Sequence, residues 1–186
     1  MKNKFERIEG KNIVLRKAEL SDQDVIYENL WGDRTISDLM FWRPSASDEE
    51  TVDRLYKTME YQKDKYLYFV ALKDTNEAIG MAGMKEESFE VYSEEGIAIA
   101  RKYQRHGYGK EVLLLLMKTA FVDLNAKQFI YYCMEHNEIS RNLALKMGFT
   151  YDITESDIRK HDQKEFNLQR YYLNRDTYFK LYDPKK

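Results

Sequence analysis

Cysteine occurs once in this 186-residue chain, at Cys133, so no internal disulfide can form and the usage fits a reducing compartment. Net charge is nearly absent too. Thirty Lys and Arg stand against 32 Asp and Glu, leaving −2 at neutral pH and no global basic field of the kind that binds nucleic acid. Long hydrophobic runs are missing: the aliphatic run Val112 to Met117 falls far short of the roughly 20 residues that span a bilayer. The opening Met1-Lys2-Asn3-Lys4-Phe5 lacks the apolar core of a signal peptide. His106, His136 and His161 show no metal-ligand spacing with Cys133 or with one another, so no metal is expected. Repeats, low-complexity tracts and linkers are also absent. These absences point to a soluble cytoplasmic protein with neither membrane nor nucleic acid among its partners. The length reads most simply as one domain over 1–186, large enough to bury about 70% of its unfolded surface. What the chain has in abundance is aromatics, with 15 Tyr, 9 Phe and 2 Trp, rings that bury area efficiently.

Ile13-Val14-Leu15-Arg16 reads as a first strand. Ser21 and Asp24 bracket a helix start, with Val25, Ile26 and Leu30 as its apolar stripe. A capping box from Ser47 to Glu50 opens a second helix bearing Val52, Leu55, Tyr56 and Met59 at i, i+3, i+4, i+7. Tyr66 to Leu72 and Ala78 to Met84 flank Lys73-Asp74-Thr75-Asn76-Glu77 and read as a hairpin. A third strand, Glu94 to Arg101, leads into a long helix from Lys110 to Leu124. A strand from Phe129 to Glu135, a short helix after Asn137, and two strands, Phe149 to Arg159 and Glu165 to Leu173, complete the order β-α-α-β-β-β-α-β-α-β-β.

Chemistry concentrates at Gln104-Arg105-His106-Gly107-Tyr108-Gly109. A glycine-containing turn at a helix start points backbone N–H groups outward at the positive end of the dipole, which suits a pyrophosphate. Gly107 and Gly109 let the main chain approach such a ligand, and Arg105, His106 and Lys110 add positive charge. A dinucleotide fingerprint would need a third glycine where Val112 stands. An ATP-binding P-loop would need Ser or Thr where Glu111 follows Gly109-Lys110. What remains is the pattern Q/R-x-x-G-x-G/A.

A second segment follows one helix and one strand later: Asn137-Glu138-Ile139-Ser140-Arg141-Asn142-Leu143-Ala144-Leu145-Lys146-Met147-Gly148-Phe149. Asn137 caps a helix there, and Gly148 suits its C-terminal stop. Together the two segments resemble the coenzyme A loop and the Asn…Lys-x-Gly-Phe half of the signature of the GNAT superfamily of acyl-CoA-dependent N-acyltransferases. The element order matches that family over nearly the whole chain. Ile13-Val14-Leu15-Arg16 and Arg43-Pro44-Ser45 are most similar to its Rim-type ribosomal-protein N-terminal acetyltransferases.

The resemblance implies an α/β (α+β) fold with a mixed, mostly antiparallel, V-split sheet flanked by helices. It implies acetyl-CoA as cosubstrate, lying where the central strand splays from the Phe129–Glu135 strand. The main chain of Ile97, Ala98 and Ile99 would follow the pantetheine arm, Gln104 to Gly109 with Lys110 would wrap the pyrophosphate, and Asn137 and Lys146 would face the cofactor. A backbone N–H near Ile97 or Ala98 is the expected oxyanion donor. The acceptor would be a primary amine, either a peptide N-terminus or a small molecule, on a monomer or homodimer. An aliphatic amine is only about 0.1% neutral at pH 7.5, whereas an α-amine is about a third neutral. Glu94, ten residues before Gln104, is the candidate base; its competing role is a solvated charge beside Glu95. The family's frequent Tyr seven residues after the Asn is Ala144 here, and the Rim-type pattern offers Ser140 as donor to the leaving thiolate. Satisfying backbone N–H groups in the helix's first turn is the alternative role for Ser140. Cys133 reads as core. Glu86, Glu87, Glu90, Glu94 and Glu95 form an acidic cluster that would attract a cationic amine, or that a solvated loop face explains. Trp31, Phe41, Trp42 and Arg43 fall between the first two helices, where relatives often bind the acceptor; core packing is the alternative role for the three aromatics. Two other classes stay open: a non-catalytic acyl-CoA-binding module, which would release no thiol, and a nucleotide-binding protein, which ATP or NAD would stabilise.

Overall fold

In the computed structural model, which describes residues 5–40 and 42–182, Ile13–Arg16 is buried along its whole length and pairs on both edges. That strand, β2, lies between β1 (Arg7–Glu9) and β3 (Tyr66–Leu72), both antiparallel to it. β4 (Ala78–Ser88), β5 (Val91–Ile99), β6 (Gln128–Met134), β7 (Thr150–Ile158) and β8 (Glu165–Asn174) complete an eight-stranded mixed sheet ordered β1-β2-β3-β4-β5-β6-β8-β7. The described helices are α1 (Gln23–Ile26), α2 (Arg34–Ser37), α3 (Asp48–Tyr61), α4 (Tyr108–Lys118), α5 (Glu138–Lys146) and α6 (Arg175–Tyr182). None of them is long and apolar enough to cross a membrane. The chain's contacts group into two compact units. One holds the described residues up to Met84 with Glu95–Leu115, and the other holds Lys85–Glu94 with the rest from Leu116.

The first unit packs Ile26, Leu30, Trp31, Leu55, Phe69 and Ala78 into one buried cluster. Trp31 meets Phe69 edge-on at 5.8 Å and donates its indole N–H to Met81 Sδ at 3.1 Å. Ser47 caps α3 as the sequence predicts, its Oγ accepting from Glu50 N–H at 3.2 Å. The return half of that box is displaced by one residue: Glu50 accepts from Ala46 N–H at 2.7 Å and pairs with Arg43. The first helical segment begins before the expected Ser21. A 3₁₀ turn at Leu20–Asp22 precedes α1, with Glu19 and Asp22 forming the capping box. Arg16 explains the shift: its guanidinium grips both Asp22 oxygens at 2.8 and 2.6 Å, and Asp22 Oδ2 also accepts from Glu19 N–H at 2.8 Å. Arg16 reaches further to Asn76 Oδ1 and Asn76 O in the β3–β4 turn, so one buried ion pair ties three segments together.

The second unit is built on aromatics. Phe121 stacks on Tyr178 at 4.5 Å, and Phe129 and Tyr131 both pack against Phe149. The long helix after the glycine loop ends its regular part at Lys118 and runs out through a wider turn, Thr119–Asp123, closed by Leu124 N–H to Thr119 O at 2.9 Å. Gly148 stops α5 with a φ of +85°, a left-handed conformation that suits glycine. The tyrosine-rich end of the described chain forms α6. There Tyr178 is buried, and the Tyr182 hydroxyl donates to Met147 O at 3.0 Å.

Candidate active site

In the first unit, β5 ends at Ile99 and a 3₁₀ turn at Arg101–Tyr103 delivers the chain to the glycine loop. Gln104 braces that turn, donating Nε2 to Ile99 O at 2.9 Å, and His106 Nδ1 lies 2.8 Å from Gln104 O. The His106 ring stacks on Tyr108 at 5.8 Å. Arg105 and Gly107 carry φ of +68° and +85°, so the backbone alternates hand just before α4, the arrangement that turns successive N–H groups toward one anion. Glu111 N–H bonds to Gly107 O at 3.1 Å as the helix begins. The amides before it are the ones that an α-helix leaves unsatisfied. A Cβ built on Gly107 or Gly109 would meet nothing within 4 Å, so the main chain here faces open space. Arg105, His106 and Lys110 are exposed around it. Glu111 fixes the other side of the helix, accepting from Asn12 N–H at 2.8 Å and Asn12 Nδ2 at 2.9 Å. These features fit a pyrophosphate held by main-chain amides with cationic side chains nearby. Upstream, Ile97 is half-buried and Ala98 and Ile99 are buried, and β5 carries a φ of +106° at Gly96. Ala98 O approaches β4 so closely that a Cβ at Gly80 would lie 2.2 Å from it.

In the second unit the parallel ladder between β5 and β6 runs over Val91–Ser93 and Gln128–Ile130. Just beyond it the Glu94 carboxylate accepts from Tyr132 N–H at 3.1 Å, taking a place a strand carbonyl would fill. Glu94 is only 7% exposed, which removes the solvated-charge alternative for it. Glu95 is exposed and accepts from the Tyr61 hydroxyl at 2.9 Å, so the two neighbours have separate environments. Ser140 N–H donates to Asn137 Oδ1 at 3.1 Å, capping α5, and its Oγ lies 2.8 Å from the Tyr131 hydroxyl. The backbone role and the hydroxyl contact therefore coexist in one residue. Burial, then the Glu94 charge, pushes the Tyr131 phenol well above its ordinary pKa. Burial pushes the Cys133 thiol up to about 11, with Ser140 hydrogen-bonding against that trend, so the thiol is protonated at neutral pH and is no nucleophile. Lys146 is exposed in the last turn of α5.

Sequence reasoning missed Tyr131. It lies in an aromatic strand, where every ring reads as packing, and only the turn at Asn137 brings α5 back over its hydroxyl. The acidic cluster also resolves into separate pairs: Glu87 accepts from Ser93 Oγ at 2.7 Å, and Glu90 meets Lys127 at 2.6 Å. Of the aromatics assigned to the acceptor region, Trp31 is wholly core, and Phe41 lies outside the described residues. The Arg54 guanidinium lies over Trp31 at 4.6 Å and over Trp42 at 5.2 Å, and donates to Arg43 O at 3.1 Å.

Residues 12–150 match the family model described as an acetyltransferase (GNAT) domain. An uncharacterised N-acetyltransferase derived from the SPbeta prophage of Bacillus subtilis is 26% identical over 158 residues, covering 81% of each protein. A GNAT-family acetyltransferase from Bacillus anthracis superposes with a TM-score of 0.78 at 19% identity, over 91% of this chain and 99% of that one. RimL, a ribosomal alpha-N-protein acetyltransferase, superposes at 0.75 with 18% identity, over 91% and 94%. At these identities the solved structures establish a shared fold.

Proposed function

Because the chain belongs to the GNAT acetyltransferases, we propose that it acts as one domain over 1–186 that transfers the acetyl group of acetyl-CoA to a primary amine, either a peptide N-terminus or a small molecule. The observation that carries this reading is the open glycine face at the start of α4. In this reading Gln104 to Lys110 wrap the pyrophosphate, with the amides that follow Gln104 as donors because its own N–H is bonded to Arg101 O, the β5 main chain at Ile97 to Ile99 holds the pantetheine arm, and Asn137 and Lys146 face the cofactor. The bound cosubstrate supplies an activated thioester. Glu94 takes the proton that the amine must lose, directly or through water, and Ser140 gives a hydrogen bond to the departing sulfur. The reading is tested by following free thiol from acetyl-CoA over a panel of alkylamines and peptide N-termini. Amine-dependent thiol release is expected, whereas tight acetyl-CoA binding without release for any amine would leave only a binding module.

The two loop glycines give a sharper test. Gly107 needs its positive φ, so any substitution there strains the fold whatever happens to the ligand. Gly109 lies inside α4 with ordinary backbone and open space at its Cβ position. Gly109→Ala is therefore expected to stabilise the free protein by up to about 1 kcal/mol through helix propensity. It should at the same time weaken acetyl-CoA by roughly tenfold, about 1.4 kcal/mol of blocked main-chain approach. Calorimetric titration and melting of the same variant read both signs. An unchanged dissociation constant would remove the loop from the cofactor site.

A further inference from the structure

We infer that Tyr131 is a positioning residue for acetyl transfer, its phenol holding the Ser140 hydroxyl as a hydrogen-bond donor to the leaving sulfur. The inference rests on the acetyltransferase reading above. Tyr131 shares a face of β6 with Phe129 and Cys133, all three buried, and its ring packs against Phe149 at 5.6 Å. Its hydroxyl reaches out of this packing to Ser140 Oγ at 2.8 Å. The Ser140 main chain is held, because its N–H is bonded to the Asn137 cap in the first turn of α5, which leaves the hydroxyl to be oriented by its own partner.

Chemistry decides which way this pair works. A leaving thiolate has a conjugate acid near 8.5, far below any serine hydroxyl, so full proton transfer from Ser140 to sulfur is steeply uphill. A hydrogen bond is what Ser140 can give, and it gives a better one if its own oxygen accepts from a second donor. Tyr131 is suited to be that donor. Burial and the nearby Glu94 carboxylate keep its phenol protonated, and the same carboxylate opposes a buried tyrosinate. The Cys133 thiol beside Ser140 stays protonated as well and competes only as a weak partner. The amine nitrogen bonds to the acetyl carbon and gives its proton to Glu94. The C–S bond breaks with its electron pair on sulfur, which Ser140 hydrogen-bonds. Glu94 returns the proton to solvent. Tyr131 keeps its own proton throughout.

The test is a double-mutant cycle of Tyr131→Phe and Ser140→Ala, with kcat, KM and acetyl-CoA melting shift read for each variant. Phe retains the ring packing, so the fold and the cofactor-induced shift are expected to persist. Tyr131→Phe should lower kcat roughly fivefold, the scale of one hydrogen bond, with KM for acetyl-CoA unchanged. Because Tyr131 acts through Ser140, the double variant should be no slower than Ser140→Ala alone. Rate losses that multiply, an unaltered kcat in Tyr131→Phe, or an unaltered kcat in Ser140→Ala would each overturn the inference. A wild-type protein that neither gains stability from acetyl-CoA nor releases thiol would overturn the acetyltransferase reading, and this inference with it. An unaltered kcat in Ser140→Ala also removes Ser140 from the site, whereas the coupling between the two substitutions bears only on Tyr131.

Discussion

Glu94→Gln is expected to lower kcat about a hundredfold, the lower end of what a positioned base contributes. Gln keeps the shape and an oxygen that can still accept from Tyr132 N–H, so stability should hold while the charge is lost. The size of the loss depends on the acceptor. A lysine-like amine is almost wholly protonated at neutral pH and needs the base, while an α-amine is partly neutral without help. The penalty should therefore be larger for alkylamines than for peptide N-termini, and the alkaline dependence of kcat/KM should change. A second readout comes from Cys133, whose ionisation Glu94 opposes after burial does. With the carboxylate gone, alkylation of that thiol above pH 9 should quicken. A pH–rate profile identical to the wild type would remove Glu94 from the base role.

Asp22→Ala should damage the fold severely. Asp22 and Arg16 are about 5% exposed at their side chains and meet at 2.6 Å, so truncation leaves a buried guanidinium without its counter-charge. Such a loss costs about 3–5 kcal/mol. For a chain of this size that lowers the melting temperature by roughly 6–20 °C. Asp53→Ala is the contrast, since its pair with Lys57 has both side chains more than 70% exposed. There the expected cost is below about 0.5 kcal/mol. Chemical denaturation of both variants measures the difference. A loss under about 1 kcal/mol for Asp22→Ala would mean that Arg16 rests mainly on its bonds to Asn76.

The pattern of residues foretold what depends on local signals. β2 runs over the residues read from its aliphatic run, Ser47 caps α3, and Gly148 ends α5 at a positive φ. Features set by partners distant in sequence were not legible. The three-residue β1 is too short to show alternation, and it exists because β2 offers it an edge. α6 begins directly after β8 with no glycine or proline to mark the change, and its tyrosines find their purpose only against Phe121 and Met147. The candidate site divides the same way. The glycine loop announces itself by spacing, but the difference between Gly107 and Gly109 is a matter of dihedral angle and open space. Glu94 and Glu95 look alike in sequence, and only the end of the β5–β6 ladder separates the buried carboxylate from the exposed one.

Thermal melting with acetyl-CoA, CoA, ATP and NAD compared side by side tests the central claim most directly. A ligand at a hundred times its dissociation constant contributes about 2.7 kcal/mol. That corresponds to roughly 5–11 °C for this chain. A shift of that size with acetyl-CoA and CoA, absent with ATP and NAD, is the predicted result. No shift with the CoA compounds, or a larger one with ATP or NAD, would contradict the account and reduce the glycine loop to a structural turn.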